Sequence, residues 1–137
     1  MLTDYHVHLR PDGPDTPFAR YMTADNAKVY RESASERGIA ELGVAEHIYR
    51  FKQALDVWDH QLWKDETGDD IDEYVEFVRG STDLKLGIEA DFIPGREEQM
   101  RDLLEARDWD YVIGSIHFLG EGALDYAKYD VWNGGRS

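Results

Sequence analysis

Hydrophobic positions along the chain gather into four short apolar runs, separated by stretches in which they recur at helical spacing. Residues 2–9 alternate loosely and predict a first strand, with Asp4, His6 and His8 at i, i+2 and i+4 and therefore on one face. Residues 10–22 hold three of the four prolines and predict a long irregular loop. Thr23 or Asp25 suits the cap of a helix that runs to about Arg37 and ends at Gly38. A second strand over 41–45 delivers Glu46 and His47 at its C-terminal end. Residues 49–67 are rich in aromatics, with His60 in a W-D-H-Q context, and predict an irregular lid or a short helix. Asp69 or Asp70 starts a further helix with Ile71, Tyr74, Val75 and Val78 at helical spacing. A third strand over 84–88 ends at Glu89. Gly95 opens a helix striped by Met100, Leu103 and Leu104, and a fourth strand over 111–116 ends at His117. After Phe118 the pattern weakens to loop with one turn of helix at most.

The order is strand, helix, strand, helix, strand, helix, strand, the signature of βαβ units with parallel strands. Four such units make half of an eight-fold barrel, and the expected fold class is α/β. The 137 residues form a single domain, 1–137, with 42% hydrophobic positions to build its core. No apolar run approaches the roughly 20 residues that cross a bilayer, and the N-terminus lacks the charge and apolar stretch of a signal peptide. The expectation is a soluble, cytoplasmic protein that engages no membrane. With no cysteine, any metal has to be held by His, Asp and Glu. The net charge of −14 argues against a nucleic-acid interface, which needs clustered Lys and Arg. It does not exclude a small anionic substrate, because divalent ions can supply a local positive field.

The chemistry-bearing residues fall where the strands end. An H-x-H pair, His6 and His8, puts two imidazoles on one side of a strand, close enough to chelate one ion, although such a pair alone is as readily incidental. Asp4 either orients one of these imidazoles or simply enters the strand. His47 alone reads more often as a buried, hydrogen-bonded histidine. Glu89, between Ile88 and Ala90 at the end of an apolar strand, is a carboxylate costly to bury without a metal or cationic partner. His117 repeats the pattern between Ile116 and Phe118. Four strands each delivering a ligand type at the carboxyl end favour a shared metal site over coincidence.

These segments, DYHVH, AEH, GIEADF and GSIHF, resemble in order and approximate spacing the early motifs of the PHP (polymerase and histidinol phosphatase) superfamily, most closely its histidinol-phosphatase branch. The resemblance covers essentially the whole chain. It implies a distorted (β/α)7, TIM-like barrel of which this chain forms the N-terminal half, with two or three divalent metal ions (zinc, iron or manganese) that hydrolyse phosphomonoesters. His6 and His8 would bind the first metal, Glu89 would bridge the first and second, His117 would bind the second and His47 the third. Asp12 lies near another third-site ligand of relatives, though its RPDG context explains it equally as a turn residue. Arg50, just after His47, is a candidate contact for phosphate or substrate, a surface salt bridge being the commoner fate of an arginine.

The resemblance makes L-histidinol phosphate the expected small phosphorylated substrate, in histidine biosynthesis. The alternatives are a PHP-type phosphoesterase of other specificity and a non-catalytic metal-binding fragment. Two segments of the family pattern are missing: a further histidine in an A-H-P-like segment and an Asp-x-His motif near the C-terminus. The expectation is therefore a domain truncated at its C-terminal end, with ligands beyond Ser137, weak activity in isolation and an open sheet. Its apolar inner surface and unpaired edge near 111–116 would favour association, the oligomeric state itself being left open.

Overall fold

A computed structural model describes residues 1–124 of the protein, apart from Pro14 and Glu121. Four parallel strands form a curled half-barrel with helices in the connections: β1 (Leu2–Val7), β2 (Ile39–His47), β3 (Lys85–Asp91) and β4 (Tyr111–Ser115), in that spatial order. The helices are α1 (Phe18–Tyr21), α2 (Ala24–Glu36), α3 (Gln61–Glu66), α4 (Ile71–Ser81) and α5 (Glu97–Glu105). The α/β fold, half of a TIM-like barrel, is the one the apolar pattern predicts. Residues 125–137, the greater part of the weakly patterned tail, lie outside the described residues.

Local chemistry sets most of the boundaries. The Thr23 side chain accepts the amide of Asn26 at the start of α2, and Gly38, at φ 78°, turns the chain out of that helix into β2. Asp70 accepts the amides of Asp72 and Glu73 and caps α4. That helix buries Ile71, Tyr74 and Val78 on one face, and the Tyr74 hydroxyl donates to the Gly87 carbonyl at 2.7 Å. β2 and β3 occupy the centre of the sheet and are buried from Leu42 to Glu46 and from Leu86 to Asp91, so their apolar runs there are nearly continuous, as expected of parallel strands covered on both faces.

Two features depart from the sequence reading. Phe18–Tyr21 folds as a short helix inside the proline-rich loop, and Phe118–Leu119 pairs with Gly122–Ala123 as a small antiparallel hairpin, β5 and β6. Both are too short to leave a periodic signal. Residues 49–67, expected as an irregular lid or a short helix, carry two 3₁₀ turns (Ile48–Arg50 and Lys52–Asp56) and then the short helix α3. They are packed tightly: Trp63 is fully buried, and Trp58 meets Trp63 and Phe118 edge-on at centroid distances of 5.3 and 4.9 Å. His60 serves here as a cap, its Nδ1 accepting the Leu62 amide, and stacks on Trp58.

Tyr111 reaches from β4 across β3 and β2 to β1, where its hydroxyl donates to the Tyr5 carbonyl at 2.7 Å. Gly43 and Gly87 make the slot for its ring, since a Cβ on either would lie 2.4 Å or 2.3 Å from a Tyr111 side-chain atom. Tyr5, Glu41, Lys85 and Asp110 complete a hollow around it. On the β4 side of the sheet Phe92, Val112, Ile116 and Leu119 are exposed, as are Met1 and Leu2 at β1 and Val29 and Tyr30 on α2, and β4 is an edge among the described residues.

Candidate metal centre

The centre forms where the four strands end. Parallel register sets His47 on β2 directly beside Glu89 on β3, and Asp91 beside Ser115 on β4. Alternation along each strand then puts Glu89 with Asp91, and Ser115 with His117, on the concave face. β1 reaches the same place differently. Between Asp4 and Val7 its register against β2 slips, a bulge that interrupts the simple i, i+2, i+4 alternation. Asp4 consequently accepts the backbone amide of His6 at 3.0 Å and orients no imidazole.

The structure brings His6, His8, His47, Glu89 and His117 together around one carboxylate. Glu89, 3% exposed, meets His6 Nε2 with Oε1 and His47 Nδ1 with Oε2, and His117 Nε2 stands 3.8 Å from Oε2. The His8 ring stacks on His47 at 4.3 Å, and Tyr49 stacks on the other neighbour position of His47 at 4.7 Å. Donor atoms fall into two groups that share Glu89, one of His6, His8 and Glu89 and one of His47, Glu89 and His117, each with its atoms within 4.8 Å of one another.

Electrostatics favour ligand-ready forms. Burial opposes ionisation of Glu89, yet His47 in contact with it and His6 and His8 nearby outweigh burial and hold its carboxyl down at about 2. Burial, followed by the adjacent His47, pushes His8 down to about 4, so its imidazole is neutral at pH 7. His8 Nδ1 and Asp91 Oδ2 are buried without a hydrogen-bond partner, and His47 Nδ1 and Glu89 Oε2 lie against each other without forming one. Buried polar atoms left unpaired around a nitrogen and oxygen donor set fit a bound divalent cation.

Asp12 and Arg50 sit apart from these groups. The Arg50 guanidinium, on a residue 2% exposed, is held at 2.8 Å by both Asp12 and Glu66, while Asp12 itself is largely exposed. Arg10 pairs with Asp69, and Glu46 accepts the amides of Leu9 at 2.6 Å and Arg10 at 3.4 Å. These links fasten the loop after β1 to the end of β2 and to the 48–70 segment. Two neighbours of the centre were missed in the sequence. Asp91, 3% exposed, accepts the Ser115 hydroxyl at 3.0 Å and meets His117 Nδ1; its position two residues after Glu89 on a strand was the available signal. Tyr49, two residues after His47, carried no comparable sign.

No family model matches the chain. A curated protein of Deinococcus radiodurans, named probable histidinol-phosphatase, is similar to it, with 30% identity over 135 residues. The match covers 93% of this chain and 46% of that protein, so the chain spans about half the length of the relative. Among the described residues no helix is long and apolar enough to cross a membrane.

Proposed function

We propose that this chain carries the metal site of a phosphomonoester hydrolase whose substrate is L-histidinol phosphate, cleaved with water to L-histidinol and phosphate. The observation that carries the reading is Glu89, a buried carboxylate shared by two groups of imidazoles at the carboxyl edge of a parallel sheet. The relative's name supports the reaction class and this substrate. His6, His8 and Glu89 would hold one divalent ion, and Glu89, His47 and His117 a second; zinc, iron and manganese suit these donors. Such ions, when bound, polarise phosphoryl oxygens and lower the pKa of an attacking water.

The chain's own contribution is placement. Glu89 fixes the spacing of the two donor groups, and neutral His8 offers a free nitrogen lone pair at pH 7. Tyr49 and His8 flank His47 and limit its rotation. Arg50 enters this reading through Asp12, whose loop it ties beside the centre. A small phosphorylated substrate fits a site framed by imidazoles in an otherwise acidic protein, and the net charge of −14 argues against nucleic acid or an anionic membrane as the partner.

The test is metal content by elemental analysis beside phosphate release from L-histidinol phosphate and a panel of other phosphomonoesters. Glu89→Gln should lose both metal and turnover while the far-ultraviolet circular dichroism persists. A variant with full metal content and normal turnover would remove Glu89 from the site. A second reading, a metal-binding stretch whose turnover needs further residues, is favoured by the match to only 46% of the relative. Metal bound at stoichiometry without phosphate release by the parent chain would select it.

A further inference from the structure

We propose that Asp91 is a positioning residue that fixes the tautomer of His117 and so aims Nε2 of that ring at Glu89; the inference rests on the metal-site reading above. Asp91 is buried at the end of β3, on the same face as Glu89 and two residues beyond it. Its Oδ1 meets His117 Nδ1 and also takes the Ser115 hydroxyl hydrogen bond at 3.0 Å. On the opposite edge of the ring, His117 Nε2 faces Glu89 Oε2 at 3.8 Å. A carboxylate against Nδ1 keeps the proton on that nitrogen and makes Nε2 the nitrogen whose lone pair points toward Glu89.

Three features separate this role from a packing role. Asp91 belongs to neither group of converging donor atoms, so it acts on the centre through His117. Its Oδ2 is buried without a hydrogen-bond partner, an arrangement that is costly unless a nearby positive charge compensates it. The strand ends are already tied by the Phe92 amide to the Ser115 carbonyl at 2.7 Å, so β3 and β4 do not need the carboxylate to stay paired. Ser115 restrains Asp91 in turn, which makes a relay of Ser115, Asp91 and His117 leading to Glu89.

Two readouts test this: ¹⁵N NMR of the histidine rings in the metal-free protein, which identifies the protonated nitrogen, and zinc affinity by competition with a chromophoric chelator. The parent should show His117 protonated at Nδ1. Asp91→Asn, whose carbonyl can accept the same hydrogen bond, should keep that tautomer and bind zinc within a few-fold of the parent. Asp91→Ala should scramble the tautomer and weaken zinc binding by about 10- to 100-fold. Asp91→Leu, closer in volume, gives the same comparison if the alanine variant unfolds. An unchanged tautomer in the alanine or leucine variant overturns the proposal, as does an asparagine variant that loses zinc as fully as alanine does. If the parent binds no zinc, the metal-site reading fails while the tautomer comparison still decides the role of Asp91.

Discussion

Replacing Glu46 with glutamine isolates the energetic cost of a buried carboxylate beside the site. Glu46 is 1% exposed. Burial pushes its carboxyl up from 4.5 to about 7, and the hydrogen bonds from the Leu9 and Arg10 amides, with His47 and Arg50 nearby, offset only part of that. Because the folded-state value lies above the unfolded one, the folded protein holds the proton more tightly. The stability from this group is fully present below pH 4.5 and is lost as the pH rises through 7. A gap of about 2.5 units at ~1.36 kcal/mol each is on the order of 3 kcal/mol. Glutamine does not titrate, and its Oε1 can accept the same two amides. An unpaired side-chain NH₂ would cost about 1–3 kcal/mol, but equally at every pH. His8, depressed to about 4 by burial and by His47, contributes stability present above 6.5 and lost as the pH falls through 4; it is common to both proteins and cancels. Urea unfolding followed by tryptophan fluorescence, with a chelator present, should therefore show the stability difference shifting by about 3 kcal/mol in favour of Glu46→Gln between pH 4.5 and 7.5. The parent's stability should also vary less with acidification than the variant's. A difference that is the same at both pH values would refute the assignment of Glu46 as a carboxyl titrating near neutrality.

Gly87→Ala places a Cβ 2.3 Å from the Tyr111 ring and should cost about 1–3 kcal/mol by urea unfolding with a loss of near-ultraviolet tyrosine signal. Gly80→Ala, where a Cβ meets nothing within 4 Å, should instead stabilise α4 by about 0.5–1 kcal/mol; equal effects at the two sites would count against the Tyr111 slot. Val112 is exposed on β4, an edge strand among the described residues, so Val112→Lys should reduce self-association in light scattering while zinc binding is unchanged. Association at the parent's level would exonerate that edge.

The fold was legible where burial imposes a period. β2 and β3 read as apolar runs because both faces are covered, and α4 read as a helix because Ile71, Tyr74 and Val78 all face the sheet. The segment from Tyr49 to Thr67 read only as an irregular lid or a short helix, since its order comes from Trp58, Trp63 and Phe118 packing across the chain rather than from any local repeat. Likewise the slot in which Tyr111 crosses Gly43 and Gly87 joins residues far apart in sequence, and a glycine in a strand signals only that some group approaches closely.

The candidate centre divides along the same line. Which residues are ligand types at strand ends follows from the sequence, because parallel strands deliver their last residues to one edge whatever the helices between them do. Which of them meet depends on register, a property of strand pairs. Register puts His47 beside Glu89, where the family resemblance had assigned His47 to a different ion from His117; the structure groups both imidazoles with Glu89. Register also sets Asp91 beside Ser115 and thereby within reach of His117. Arg50 shows the converse: a cation just after a ligand histidine reads as a phosphate contact, and in the structure two carboxylates, Asp12 from the loop after β1 and Glu66 from α3, pair with its guanidinium. Buried, it ties down the loop that carries Asp12. Charge type can be read from one residue, whereas charge availability is decided by partners that only the folded chain supplies.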